Sequence, residues 1–310
     1  MKRFRDEKEF RKDGKPRGFP RFRCKRVDKN SFTSFNHIND IYIDFTTHIL
    51  KLNCLGSVSF NKREKQVPDN WKIKHYTISR KANKYYCSIC FEYEDNNPLL
   101  ETPKQLPNDE VCYLGLDYKS NGLYMDSNGN LANYPRYYRE SQKRLKLLQQ
   151  KYSRQQKGGK NHEKTRLKIQ KLHDHISNQR KDFLHKLSTV ITKQYDVICV
   201  EDLDMKAMSQ CLKLGKSTLD NGFGMFRLMI EYKCLRKPFK SLIKIPRFFP
   251  SSKTCSFCGF INRNLTLQDR VFECPNCHHE TIDRDYNAAI NIRNYGFRMV
   301  NGIKSKVAIL

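Results

Sequence analysis

Four cysteines near the carboxyl end of the chain place the tightest constraint on its fold. They form two Cys-x2-Cys pairs, Cys255 with Cys258 and Cys274 with Cys277, separated by fifteen residues. Each short pair turns two thiolates toward one point, and two such pairs complete a tetrahedral Zn²⁺ shell with no position left open for water. The spacing therefore predicts a structural zinc ribbon over residues 251–280.

Other candidate metal ligands lie outside this pattern. His278 and His279 follow the last cysteine and could replace a thiolate, but four cysteines already fill the shell. A further Cys-x2-Cys pair, Cys87 and Cys90, has no matching second pair and lies in an alternating aromatic run that is typical of a strand. We therefore expect Cys87 and Cys90 to be packing residues.

The charge of the chain limits its partners. Its 310 residues include 59 Lys and Arg against 32 Asp and Glu, a net charge of +27. Such an excess of positive charge predicts a polyanionic partner, and nucleic acid is the foremost candidate. The sequence has no apolar run long enough to cross a bilayer and no secretion signal at its start. We expect a soluble intracellular protein with no membrane partner.

Residues 1–110 are predicted to form a nucleic-acid-binding domain. Its first thirty residues carry a dense basic cluster in which Phe19 and Phe22 are interleaved among Arg17, Arg21 and Arg23, a combination that suits phosphate contact and base stacking. A solvated, poorly ordered start of the chain is the alternative. Short alternating segments from about 31 to 95 predict a partial β-barrel, and the proline-rich stretch 96–110 predicts a linker.

A different pattern begins at residue 111 and indicates the α/β class. An apolar strand and a hairpin come first, followed by basic helices over 135–190 that are broken at Gly158-Gly159. The later elements are a strand at 196–200, a helix at about 221–237, a short strand at 241–246 and a last helix at 285–296 that ends at Gly296. We expect residues 111–250 and 281–310 to form one domain, interrupted by the ribbon.

Three acidic residues stand out in this basic chain. Asp117 ends the first strand, Glu201 follows the strand at 196–200, and Asp285 opens the last helix. Carboxyl ends of parallel strands meet at one sheet edge, where these side chains could converge. Converging carboxylates repel one another unless cations lie between them, and two Mg²⁺ ions are the usual partners in phosphodiester hydrolysis. Taken singly, each acid could instead be a helix cap, a strand-end cap or a surface residue.

The order of the predicted elements is that of an RNase H-like nuclease domain. Moreover, the chain resembles the TnpB (OrfB) proteins of insertion sequences, which are relatives of type V CRISPR nucleases. Five ordered motifs carry the resemblance: GLDYKSNGLYMDSNG (115–129), NQRKDFLHKLS (178–188), VEDLDMKAM (200–208), FFPSSKTCSFCG (248–259) and CPNCHHETIDRDYNAAINI (274–292).

The resemblance implies a fold, an activity and a set of functional residues. The implied protein is an RNA-guided, metal-dependent DNA endonuclease of the prokaryotic cytoplasm, with a RuvC-type site split by a zinc ribbon and preceded by an oligonucleotide-binding barrel. Its implied partners are DNA, a guide RNA from the end of the mobile element and a transposase of the same element. Carried over by motif, the catalytic Mg²⁺ ligands are Asp117, Glu201 and Asp285, the last preferred to Asp283, and the Zn²⁺ ligands are the four cysteines of the two pairs.

Two asparagines and the start of the chain complete the expectations. Asn287 and Asn291, four residues apart on the last helix, are expected to hold that helix against the sheet. Family members usually carry several tens of residues ahead of the stretch matching 18–22, so we expect a shortened copy. A truncated, non-cleaving nucleic-acid-binding protein of the same family, or a transposase performing strand transfer with three acids, remains an alternative.

Overall fold

The computed structural model describes residues 31–36, 41–53, 55–61, 70–94, 111–211, 220–237, 239–266 and 268–302. The basic and aromatic cluster at the start of the chain and the predicted linker at 96–110 lie outside the described residues. The chain divides into two compact units, Met1–Asn96 and Asn97–Leu310. No helix of the described residues is both long and apolar enough to span a membrane.

The described residues of the first unit form two three-stranded antiparallel sheets, in the orders β1-β5-β6 and β2-β3-β4. Their shared core contains Ile41, Leu50, Leu52 and Tyr76. The structure thus has the short strands that the sequence predicts, arranged as two sheets. The strands are β1 Ser31–Phe35, β2 Tyr42–Asp44, β3 Ile49–Leu52, β4 Gly56–Ser59, β5 Lys72–Lys81 and β6 Lys84–Glu92.

The interpretation of Cys87 and Cys90 as packing residues is wrong. Both thiols are free and both residues are exposed on β6. Strand β6 is the edge strand of its sheet, so its side chains have a neighbouring strand on one side only. The alternation of aromatic residues correctly predicts the strand. It does not predict whether other residues pack over the side chains of that strand.

The second unit is built on a four-stranded sheet of order β10-β9-β7-β8. Strand β9 runs parallel to both β7 and β10, while β8 is antiparallel to β7. The hairpin predicted after the first strand is present, because β8 continues through a turn at Gly129 to a bridge between Met125 and Leu131. The strands are β7 Tyr113–Tyr118, β8 Tyr124–Asp126, β9 Val197–Glu201 and β10 Ser241–Ile245.

Helices cover both faces of this sheet. The helices are α1 Tyr137–Arg154, α2 Lys160–Gln194, α3 Met205–Cys211, α4 Phe223–Leu235 and α5 Arg284–Val300. Leu114, Leu116, Ile198 and Val200 pack against apolar residues of α2 and α4 on one face. On the opposite face, Val197, Cys199 and Ile245 pack against Ile292 of α5. The α/β arrangement and the helical pair broken at Gly158-Gly159 are therefore as the sequence predicts.

The last helix approaches the sheet closely and is longer than predicted. A Cβ at Gly115 of β7 would come within 2.6 Å of the backbone nitrogen of Arg293, so only glycine leaves room for α5. Gly296 does not end the helix as expected, since α5 continues to Val300. This glycine lies inside the helix against Cys199 of β9, and its lack of a side chain permits the close approach.

The segment between β10 and α5 contains the two cysteine pairs and a two-stranded sheet. Strand β11, Val271–Phe272, pairs antiparallel with β12, Ile282–Asp283. Phe272 is buried against Cys255 and Cys274. With a core this small, a bound metal would be the main source of stability for the ribbon.

Candidate active site

Asp117 and Glu201 lie side by side at the carboxyl ends of two parallel strands. The register pairs Leu116 of β7 with Val200 of β9, and each acid is the next residue of its strand. Side chains alternate along a strand, so both acids face the side of the sheet that α5 covers, opposite to Leu116 and Val200. Both acids are half-buried. The predicted convergence of these two residues is thus a feature of the structure.

Asp285 lies in the first turn of the helix that packs on this face. The N-cap of α5 is Asp283, whose Oδ1 accepts hydrogen bonds from the backbone N–H groups of Asp285 (2.9 Å) and Tyr286 (3.0 Å). Because Asp283 caps the helix, the Asp285 carboxylate is not used as the cap and is available for other contacts. Its Oδ2 forms an ion pair with Lys119 Nζ at 2.9 Å.

Asp117 lies close enough to Glu201 and Asp285 for the charge of both to affect it. Burial, then repulsion from Glu201 and from Asp285, raises the pKa of Asp117 well above its usual value, and the nearby Arg284 and Lys119 oppose this rise. Burial also raises the pKa of Glu201, against a hydrogen bond of 2.6 Å that Ser251 Oγ donates to its Oε1. Two basic side chains therefore offset only part of the repulsion.

The chemistry of these donors suits a hard divalent cation. All three offer carboxylate oxygens, the ligand type that Mg²⁺ prefers, and the repulsion that raises the pKa of Asp117 is the kind a cation relieves. They are spread more widely than the cysteines. Among the described residues, the cysteine quartet is the one group of metal-ligating side chains whose atoms all lie within 4.8 Å of one another.

The four cysteines of the two pairs form that compact group. Sγ of Cys255 lies 3.7 Å from Sγ of Cys277, and Sγ of Cys258 lies 3.5 Å from Sγ of Cys274. Two thiols of the group are buried and two are exposed. Four sulfur donors at one point can hold Zn²⁺ in a closed structural shell.

The surroundings of the quartet affect its thiols unequally. Burial raises the pKa of Cys255 to about 12. Burial opposes ionisation of Cys258 as well, but hydrogen bonds led by the Phe260 backbone and the Asn276 amide lower its pKa to about 6. The ring of His279 stacks on Phe257, with centroids 3.4 Å apart, and His279 is not in the group of clustered ligand atoms.

The two asparagines of the last helix contact a different segment from the one expected. Asn287 Nδ2 donates to the Thr254 carbonyl (2.7 Å), and Asn291 Nδ2 donates to the carbonyls of Ser251 (2.8 Å) and Thr254 (2.6 Å). They hold α5 to the loop that leads into the pair Cys255 and Cys258, and not to the sheet as expected. Sequence spacing places both amides on one helical face but does not identify the backbone opposite them.

Two residues beside the acids are not found by the sequence analysis. Lys119 lies two positions after Asp117, and this spacing in a strand is the signal that could have placed it near the site. Ser251 carries no comparable signal, because a serine in a loop fifty residues after Glu201 is unremarkable in sequence. Its contact with Glu201 depends on the fold alone.

Two family profiles match consecutive parts of the chain. The profile described as "Probable transposase" (OrfB, IS605) matches residues 88–212, and the profile described as "Cas12f1-like, TNB domain" matches residues 223–292. The first match includes Asp117 and Glu201, while the second includes Asp285 and all four cysteines of the quartet. The chain belongs to the TnpB family.

Curated relatives of this TnpB family member have consistent names. A "Putative RNA-guided DNA endonuclease" of Streptomyces pristinaespiralis is 36% identical over 227 residues, 73% of this chain and 54% of the relative. "Putative RNA-guided DNA endonuclease InsQ" of Escherichia coli K12 is 29% identical over 289 residues, 88% of this chain and 67% of the relative. The TnpB chain thus spans about half to two thirds of the length of these relatives.

Solved structures with a similar arrangement include a CRISPR-Cas12f ternary complex. That match has a TM-score of 0.44 and 17% identity, and it covers 73% of the TnpB chain and 46% of the other protein. A Cas12f1-sgRNA-target DNA complex matches with a TM-score of 0.43 and 15% identity, covering 71% of this chain and 55% of the other.

Proposed function

We propose that this chain is a transposon-associated, RNA-guided DNA endonuclease that hydrolyses phosphodiester bonds at Asp117, Glu201 and Asp285. The observation that carries the proposal is the meeting of these three acids on one sheet face, under a helix whose cap is a different acid, Asp283. The relatives' names supply the substrate class, DNA, and the guide, RNA. The sheet order with its single antiparallel strand supports an RNase H-like, RuvC-type domain.

The chain's own residues would prepare the site in distinct ways. Asp117, Glu201 and Asp285 would hold two Mg²⁺ ions, which supply water activation and stabilisation of the leaving oxygen. Ser251 fixes one oxygen of Glu201 and leaves the other to face a cation. Lys119 forms an ion pair with Asp285 and balances part of its negative charge. The cysteine quartet would bind Zn²⁺ structurally, since its four ligands leave no open position.

The long helices would bind nucleic-acid backbones. Helix α1 and the first half of α2 share a narrow apolar stripe formed by Leu145, Leu172 and Ile176, which leaves most of the surface of these two segments to solvent. That surface is strongly basic, and phosphate contacts by such side chains provide affinity without sequence information. In a guided enzyme, base pairing with the RNA would supply the specificity. The exposed basic residues of the pair include Lys143, Arg144, Lys146, Lys151, Lys164, Lys168 and Lys171.

Sequencing the RNA that copurifies with the chain tests this proposal. The chain is expressed together with the DNA that follows its gene, purified and extracted. We expect one discrete RNA that ends in sequence flanking the element. Random cellular fragments, or no RNA at all, would contradict a guided enzyme and favour the truncated nucleic-acid-binding protein.

A further inference from the structure

The loop 251–256 contacts both candidate metal sites at once. At its start, Ser251 donates to Glu201 Oε1 at 2.6 Å, and at its end Cys255 is one of the four clustered thiols. Ser251 and Thr254 are buried. Thr254 closes the loop on itself, donating from its backbone N–H (3.0 Å) and from its hydroxyl (2.7 Å) to the Pro250 carbonyl. The loop is therefore a compact turn, with one end at each site.

Helix α5 holds this turn from the other side. Three donor contacts from Asn287 and Asn291 reach the carbonyls of Ser251 and Thr254, and the Asn287 Oδ1 accepts the backbone N–H of Ser256 at 3.0 Å. Both asparagines are buried. The residues on both sides of Cys255 are thus bonded to the helix whose first turn carries Asp285.

We propose that Ser251, Asn287 and Asn291 are positioning residues that couple the zinc quartet to the carboxylates. The inference rests on the proposed function for the identity of the second site. The three side chains join the two sites through five buried or half-buried hydrogen bonds. A displaced knuckle moves Ser251, and the loss of Ser251 frees Glu201 to rotate.

Coupling of this kind is reciprocal. If Zn²⁺ at the thiols favours the orientation of Glu201 that binds a cation, then a cation at the carboxylates must strengthen the binding of Zn²⁺ by the same free energy. A purely structural role of the loop predicts no such effect. The reciprocal measurement therefore separates positioning from general stabilisation of the fold.

The first experiment measures cation binding at the carboxylates. Binding of Mn²⁺ to the zinc-loaded protein is followed by the electron paramagnetic resonance of free Mn²⁺. Ser251→Ala should weaken this binding about tenfold or more, the usual cost of removing a hydrogen-bond partner of a metal ligand. Ser251→Thr keeps the hydroxyl and should restore it, while the neighbouring Ser252→Ala is the matched control. Unchanged Mn²⁺ binding in Ser251→Ala would overturn the proposal.

The second experiment measures the dissociation constant of Zn²⁺ by equilibrium competition with a colorimetric chelator, with and without Mg²⁺. Mg²⁺ should lower this constant about fivefold or more in the parent protein, and this effect should disappear in Ser251→Ala. Asn291→Ala should bind Zn²⁺ more weakly than the parent without any Mg²⁺, with Asn294→Ala on the same helix as its control. Equal Zn²⁺ affinity of the two asparagine variants would refute the coupling. This last comparison needs no cation at the carboxylates, so it stays decisive if the proposed nuclease function fails.

Discussion

Replacing Gly296 by alanine tests whether the last helix lies directly on the strand that carries Glu201. Gly296 faces Cys199, which is two residues before Glu201 and therefore on the same face of β9. A Cβ on Gly296 would overlap Cys199 Sγ, whereas the next atoms, Cys199 Cβ and Ile243 Cδ1, lie 3.3 and 3.7 Å away. The obstruction is thus a single sulfur atom, and removing it should relieve the strain.

The magnitude follows from two opposing contributions. Forcing an extra methyl group into a packed core costs about 1–3 kcal/mol, and a helical glycine-to-alanine change returns about 1 kcal/mol. Gly296→Ala should therefore lower the free energy of unfolding by at most about 2 kcal/mol. In a Cys199→Ala background the same change should be neutral or stabilising by up to about 1 kcal/mol, which gives a coupling energy of about 1–3 kcal/mol.

Urea unfolding followed by far-ultraviolet circular dichroism measures the four proteins of this cycle. The signal reports on the second unit, because all helices of the described residues belong to it. Zinc is kept saturating throughout, so that the ribbon is in the same state in each sample. Additive effects of the two changes would refute the close packing of α5 on β9.

Two further predictions concern the candidate metal sites. Asp117→Asn should raise the melting temperature in EDTA, because burial and repulsion from Glu201 and Asp285 raise the pKa of Asp117 above 3.8. Because this pKa is raised, the parent loses stability as pH increases through the folded-state pKa. The increase in melting temperature of Asp117→Asn over the parent should therefore be larger at about pH 8 than at about pH 5. An equal increase at the two pH values would contradict the raised pKa. A four-thiol site is expected to bind about one equivalent of Zn²⁺. The Cys258→Ser protein should lose most of this zinc, whereas replacing the exposed Cys90 by serine should leave the zinc content unchanged. Equal zinc contents by mass spectrometry would place the metal elsewhere.

The sequence predicts the parts of the site that depend on local pattern. Apolar runs ending in Asp117 and Glu201 identify two strand ends, and parallel pairing brings strand ends together. The spacing of the cysteines predicts the ribbon in the same way. These signals are local, so they can be read without knowing which elements pack together.

Contacts across the fold are the part that the sequence does not predict. The partners of Asn287 and Asn291 are backbone carbonyls, which every residue has, so no pattern identifies them. A glycine after a helical run is typical of a helix end, but Gly296 lies inside α5, where the lack of a side chain permits close packing on Cys199. The exposure of Cys87 follows from its edge strand, and edge position depends on the order of the strands in the sheet.

Cleavage of a matched DNA by the purified protein–RNA complex tests the central claim most directly. The complex is given Mg²⁺ and a DNA complementary to the bound RNA, next to the sequence that flanks the element. The account predicts cleavage by the parent and none by Asp117→Ala, which should still fold, bind Zn²⁺ and retain the RNA. Cleavage by Asp117→Ala at the parent's rate would contradict the assignment of the three acids.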